Sequence, residues 1–272
     1  TVDNKPMPFG VGLLASVAPH VVSAGIRRGL VEATETDVPR LAKHGPALVA
    51  QLPITRLAVK VRDAEDYARL ATLDCLSKIS TIAIDGVSYR RGVKLSDHAT
   101  APLFANVRAL EIRDVSDGAD EWVRFLSTVR APHVEELLLQ RVALDLAGYE
   151  RLADRDVFPA LRSLVVAYPK FAQEDCDADA LVAGVRRIAA RGLAEYSIHS
   201  WHCGDGAAAV GVKELVASPL ASLVIENSSC GGATIEAIRS PALQRLRVEL
   251  RDDAVFPALT ALVRVPARLP AL

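Results

Sequence analysis

Apolar residues recur along this chain in groups of three, at positions i, i+3 and i+5, with polar or small residues around them. The groups read Ile54-Leu57-Val59, Ile79-Ile82-Ile84, Val107-Leu110-Ile112, Val134-Leu137-Leu139, Leu161-Leu164-Val166, Leu193-Tyr196-Ile198, Leu220-Leu223-Ile225 and Leu243-Leu246-Val248. A ninth starts at Leu259-Leu262 and carries Arg264 at its third point. Between middle residues the spacings are 25, 28, 27, 27, 32, 27 and 23, then 16. The last two points of each group stand two residues apart, the period of a strand, so they share one face and leave the other to solvent. Because 50% of residues are apolar, a single match arises by chance about one time in eight. Eight in succession at a near-constant period do not.

Between the groups the period lengthens to that of a helix. Trp122, Phe125, Leu126 and Val129 fall at i, i+3, i+4 and i+7 within 118–130, after Ser116 or Asp117 as the expected cap. Leu181, Val182, Val185, Ile188 and Ala189 do the same within 177–191, opening at Asp177 and closing at Gly192. Asp63 is expected to cap a third helix running through Lys78. Pro132, Pro159, Pro219, Pro241 and Pro257 each stand one or two residues ahead of a group, where proline ends a helix and favours extended backbone before it.

Strands alternating with helices predict an α/β fold with a parallel sheet. A period of 20 to 29 residues with L-x-x-L-x-L is the signature of leucine-rich repeats, in which short strands line the inside of a horseshoe. The expected architecture is thus a leucine-rich-repeat solenoid, with the sheet on the concave face and mostly helices on the convex face. Residues 1–53 form an N-terminal segment with a capping strand (29–34) and helix (37–51), continuous with an array of about nine repeats over 54–272. Nine strands span on the order of 40 Å. The asparagine that usually follows the strand is mostly replaced, by Arg62, Val87, Val115, Val142, Pro169, Trp201, Ser228 and Arg251, so the array is degenerate.

Residues 26–57, IRRGLVEATETDVPRLAKHGPALVAQLPITRL, resemble the entry segment of bacterial leucine-rich-repeat proteins that carry a repeat-companion domain. The likeness lies in the RRG-Leu-Val-Glu start, the helix with a central His-Gly, and the Leu-Pro-Ile-x-x-Leu lead into the first repeat. It extends over about 26–265, without the companion domain itself. The resemblance implies a scaffold, with no catalytic residues to carry over.

Composition narrows the functional classes. Aromatic residues are only 5% of the chain, so the core is built from Leu, Val, Ile and Ala, as suits a thin layered array. The net charge of −1, without a basic run, lacks the electrostatic footprint of nucleic-acid binding. Cys75, Cys176, Cys203 and Cys230 are too few for a disulfide scaffold, and none forms a CxxC pair. A reducing cytoplasm is the simplest setting. The low-charge stretch from Pro8 to Ile26 is broken by Pro19 and His20 and makes a poor membrane span. A signal-peptide reading would use Lys5 and then Val11 to Val17.

Tempting motifs give way to simpler accounts. His199, His202 and Cys203 invite a zinc site, with Glu226 or Cys230 a repeat away. Cys203 and Cys230 occupy the same repeat position, however, and stacking as small buried hydrophobes explains them without metal or disulfide. Gly204-Asp205-Gly206 and Cys230-Gly231-Gly232 lack the spacing of phosphate-binding loops and read as turns at helix starts. Glu174, Asp175, Asp177 and Asp179 lack the glycine and terminal glutamate of a calcium loop. No GxSxG elbow frames a serine. The chain is therefore expected to have no catalytic residues, metal or cofactor.

The open strand face is where binding is expected. Candidate contact residues are Glu111, Arg113, Leu138, Gln140, Val165, Tyr168, His199, Val224, Glu226 and Arg247. Lys60, Asp85 and Arg113 should form an alternating charge ladder at one end. His199, Glu226 and Glu249 should form a more acidic one at the other, with Arg245 and Arg247 alongside. Between them Leu138, Val165, Ala167 and Tyr168 make an apolar patch flanked by charge, the composition of a protein-binding site. The competing account has a loop or the uncharged N-terminal segment folding over that patch. The expected function is a protein-binding scaffold or, alternatively, the interaction domain of a larger signalling or effector protein; an enzyme is a remote third. Arg264 and Pro266 would blunt the last edge strand and keep the chain monomeric.

Overall fold

A computed structural model describes residues 23–27, 30–86, 94–114, 118–167, 178–199, 204–226 and 231–249. Ten strands form one sheet in chain order: β1 (Ser23–Arg27), β2 (Leu30–Asp37), β3 (Arg56–Val61), β4 (Thr81–Gly86), β5 (Ala109–Arg113), β6 (Glu136–Gln140), β7 (Ser163–Ala167), β8 (Glu195–His199), β9 (Ser222–Glu226) and β10 (Arg245–Val248). β1 and β2 pair antiparallel, and every later neighbour is parallel. The fold is α/β, with nine parallel strands from β2 to β10.

The connections carry α1 (Val38–Gln51), α2 (Ala64–Ala71), α3 (Ala119–Thr128), α4 (Leu146–Ala153), α5 (Ala178–Arg191), α6 (Asp205–Ala217) and α7 (Gly232–Ala237). A short 3₁₀ turn at Asp74–Lys78 follows α2 before β4, and among the described residues 3₁₀ turns at Leu95–His98 and Pro102–Phe104 take the place of a helix between β4 and β5. Helices pack on their sequence neighbours, α3 on α4, α4 on α5, α5 on α6 and α6 on α7.

The three-point groups place the core. Their middle residues align across the sheet as Leu57, Ile82, Leu110, Leu137, Leu164, Tyr196, Leu223 and Leu246. All eight first-point residues are buried, as are the second and third points from β3 to β9. Leu246 and Val248 on β10 are partly buried. Fully burying such a side chain stabilises by about 1.5–3 kcal/mol, so a slip of one residue, which would turn both strand points outward, is strongly disfavoured. A second repeating feature lies just before the strands. The carbonyls of Thr55, Ser80, Arg108, Glu135, Arg162, Ala194 and Ala221 each accept two successive amides of the next unit, at 2.7–3.2 Å.

The N-terminal segment joins this sheet. β2 runs Leu30–Asp37, and Asp37 caps α1 by accepting from the Arg40 amide at 3.0 Å. Strand β1, outside the expected cap, extends the sheet by one hairpin. Asp63 caps α2 as expected, through the Asp66 amide at 2.9 Å, but that helix stops at Ala71 rather than Lys78. There the Thr72 hydroxyl donates to the Arg69 carbonyl at 2.9 Å and its amide bonds back to Arg69 and Leu70, closing the turn before a 3₁₀ segment begins. Helix α3 starts one residue beyond Gly118, which takes the cap position expected of Ser116 or Asp117 without a side-chain bond. Asp120 and Glu121 supply negative charge to its first turn instead. Val142, at the usual asparagine position, is fully buried and serves as core.

Adjacent units are also tied by specific side chains. Arg191, at the end of α5, is 6% exposed and donates to the carbonyls of Leu152, at 3.0 Å, Asp154, at 2.7 Å, and Phe158. Burial pulls its pKa below the usual arginine value. Gly192 follows at φ +77°, the left-handed helix ending that glycine favours. Tyr149 on α4 packs against Gly184 on α5, where an added Cβ would lie 2.7 Å from the ring. Among the described residues no helix is long and apolar enough to cross a membrane.

Candidate functional site

With helices on one side, the sheet keeps three rows of side chains on the other. The first runs Ala33, Arg56, Thr81, Ala109, Glu136, Ser163, Glu195, Ser222 and Arg245. The middle row is Glu35, Ala58, Ala83, Glu111, Leu138, Val165, Ser197, Val224 and Arg247. The third is Asp37, Lys60, Asp85, Arg113, Gln140, Ala167, His199 and Glu226, with Glu249 one residue past β10. Neighbours within a row are about 4.8 Å apart.

At the β2–β5 end Lys60, Asp85 and Arg113 stand in register as expected, but they do not ion-pair along the row. Lys60 Nζ reaches diagonally to Glu35 Oε1 at 2.8 Å, which raises its pKa. Glu111 is held twice, by Arg56 Nη2 at 2.6 Å from β3 and by Arg113 of its own strand. The Arg56–Glu111 pair spans β4, where Ala83 is only 2% exposed although the alternation places it on the open side. Long side chains choose among direct and diagonal neighbours at similar distances, and here the diagonals win. Asp85 is left between cations engaged elsewhere. Burial, then Asp114, raise its pKa, outweighing Arg113, Lys60 and Arg141.

The central strands carry the apolar residues. Leu138 on β6 and Val165 on β7 are direct partners in register, and both are half-buried. Ser197 and Val224 continue the row, also half-buried, and Gln140 follows Leu138 on the same face of β6. Ala167, expected in the exposed patch, is 6% exposed and adds little surface. Tyr168 lies outside the described residues.

At the far end Glu226 is bracketed. His199 Nδ1 stands 3.2 Å from its Oε2, and Arg247 Nε stands 3.2 Å from its Oε1. Glu226 is therefore a bridged carboxylate rather than one rung of an acidic ladder, while Glu249 is exposed. Among the described residues no cluster of three or more His, Cys, Asp or Glu could hold a metal. His202, Cys203, Cys230 and Arg264 lie outside the described residues, as does Cys176.

The glycine runs do sit at helix starts, with Gly204 before α6 and Gly231 before α7. An anion already occupies the second. The Asp205 carboxylate accepts from the amides of Gly231 (2.6 Å), Ala233 (2.9 Å) and Thr234 (2.9 Å) and from the Thr234 hydroxyl (2.6 Å). Burial acts to raise the pKa of Asp205, but these four bonds outweigh it and the net shift is downward. A helix N-terminus that already holds a carboxylate in this way repels a phosphate rather than inviting one. Sequence reasoning missed this staple, although an aspartate opening one helix and Gly-Gly-x-Thr opening the next, a repeat later, was a usable signal. It also missed Asp114 and Arg141, which follow β5 and β6 at φ +55° and +53° and pair with each other at 2.5 Å.

No family model and no curated protein matches the chain. Among solved structures the chain is similar to an isomerase from Streptomyces coelicolor A3(2), at 14% identity and a TM-score of 0.31. The match covers 76% of this chain and 55% of that one, so the chain spans about half of that protein's length. A TM-score this low carries no argument about fold or activity.

Proposed function

We propose that the chain is a leucine-rich-repeat solenoid whose concave sheet face binds a protein partner, and that it performs no catalysis. The repeat reading is supported by eight aligned three-point groups and by the carbonyl that precedes each strand taking two amides of the next unit. Strands neighbour at about 4.8 Å and helices at about 8–10 Å, so a stack of strand–helix wedges bends toward its sheet. The thin 3₁₀ connection between β4 and β5 would flatten that stretch.

The observation that carries the binding reading is the Leu138–Val165 pair. Two branched apolar side chains, adjacent in register, stand at the centre of the open face with ion-paired clusters on either side. An apolar centre within a charged rim is the composition of protein interfaces. On this reading His199, Glu226 and Arg247 form a bridged rim rather than a catalytic group.

The test is partner capture by the wild-type chain and by Leu138→Asp and Val165→Asp. Loss of an apolar anchor at an interface centre costs about 2 kcal/mol or more, roughly thirtyfold in affinity, whereas surface changes shift stability by about 0.5 kcal/mol or less. Capture should therefore vanish while the fold persists. Leu137→Asp and Leu164→Asp, one residue earlier, should unfold their units. Aggregation or a large fall in Tm in the Leu138 and Val165 variants would show covered core and defeat the reading.

A further inference from the structure

Resting on that reading, we infer that the bound segment is cationic, carrying lysine or arginine beside an apolar residue. The whole chain is nearly balanced, with 33 acidic and 32 basic residues. The open rows are not. On them eight carboxylates face five lysine and arginine side chains. Internal pairing sharpens the difference, because four of those five cations are already engaged, as Lys60, Arg56, Arg113 and Arg247. Among the described residues of these rows Asp85, Glu136, Glu195 and Glu249 have no cation within 4.0 Å, against the single unengaged cation Arg245.

Two of these carboxylates frame the apolar centre. Glu136 and Glu195 are exposed, stand on β6 and β8 on either side of Ser163, and lie about 10 Å apart across two strand spacings. Each is two residues before a middle-row side chain, Leu138 and Ser197, on the same face. A segment laid across the strands with an apolar side chain on Leu138 and Val165 would therefore place a neighbouring cation between Glu136 and Glu195. Unpaired negative charge attracts such a segment during encounter and repels a polyanion such as nucleic acid.

The probe is a random dodecapeptide library displayed on phage and selected on the purified chain. Enriched peptides should pair Lys or Arg with a large apolar residue, and their association should slow as salt is raised. The double variant Glu136→Lys, Glu195→Lys should slow that association about tenfold at low salt. Leu138→Asp should abolish binding altogether. Enrichment of neutral or acidic peptides, or of none, overturns the inference. Peptides lost on Leu138→Asp yet indifferent to the charge reversal remove the cationic partner and leave the binding face standing. Peptides indifferent to both variants remove both.

Discussion

Asp205→Ala should be costly although it touches neither strand nor hydrophobic core. The carboxylate takes three amides at the start of α7, at 2.6, 2.9 and 2.9 Å, and the hydroxyl of Thr234, which is fully buried. Losing a helix cap costs about 0.5–2 kcal/mol. Orphaning a buried hydroxyl adds about 1–3 kcal/mol, at the low end because Thr234 Oγ1 also lies 3.2 Å from the Asp205 carbonyl. The expected loss is about 2–3 kcal/mol, and about half that for Asp205→Asn, which keeps an acceptor but not the charge. Urea unfolding measures the total. Hydrogen exchange should show protection falling over 231–238 while β3 to β6 are unaffected, since α7 packs chiefly on α6. The folded pKa of Asp205 is depressed. Its charge-dependent stabilisation is thus complete above the unfolded value of about 3.9 and is lost as pH falls through the lower folded value. The gap between wild type and Asp205→Asn should close below about pH 4. A cost under about 0.5 kcal/mol for Asp205→Ala, or a gap that ignores pH, would refute the reasoning.

Two glycine substitutions separate steric from backbone effects. Gly184→Ala drives a methyl to 2.7 Å from the Tyr149 ring and should cost about 1–3 kcal/mol by overpacking, read as a fall in the urea midpoint at constant m; an unchanged midpoint would mean the ring moves freely. Gly204→Ala meets nothing within 4 Å, and its cost should be only that of holding an L residue at φ +79°, ψ 154°, a region essentially restricted to glycine, about 1–3 kcal/mol. Gly204→Asn, whose tolerance of positive φ is confined to the left-handed helical region, should recover none of it.

The strand pattern was legible in the sequence because burial on one face is a local, period-two property. Every group from Ile54-Leu57-Val59 to Leu243-Leu246-Val248 reports on its own strand, and a slipped register would expose all of it. The Asp63 cap and the Gly192 ending were legible for the same reason, since each acts within about one helical turn. What the tertiary structure decided was which of several near-equal partners each long polar side chain takes. Lys60 could reach Asp85 or Glu35 and takes Glu35; Glu111 draws Arg56 from 55 residues away; Asp205 closes a helix that begins 27 residues later. Such choices turn on ångström differences between neighbouring strands, worth about 0.2–1 kcal/mol per exposed pair, and no periodicity encodes them. The same packing buried Ala83 and Ala167 on the nominally open face, leaving Leu138 and Val165 as its apolar centre.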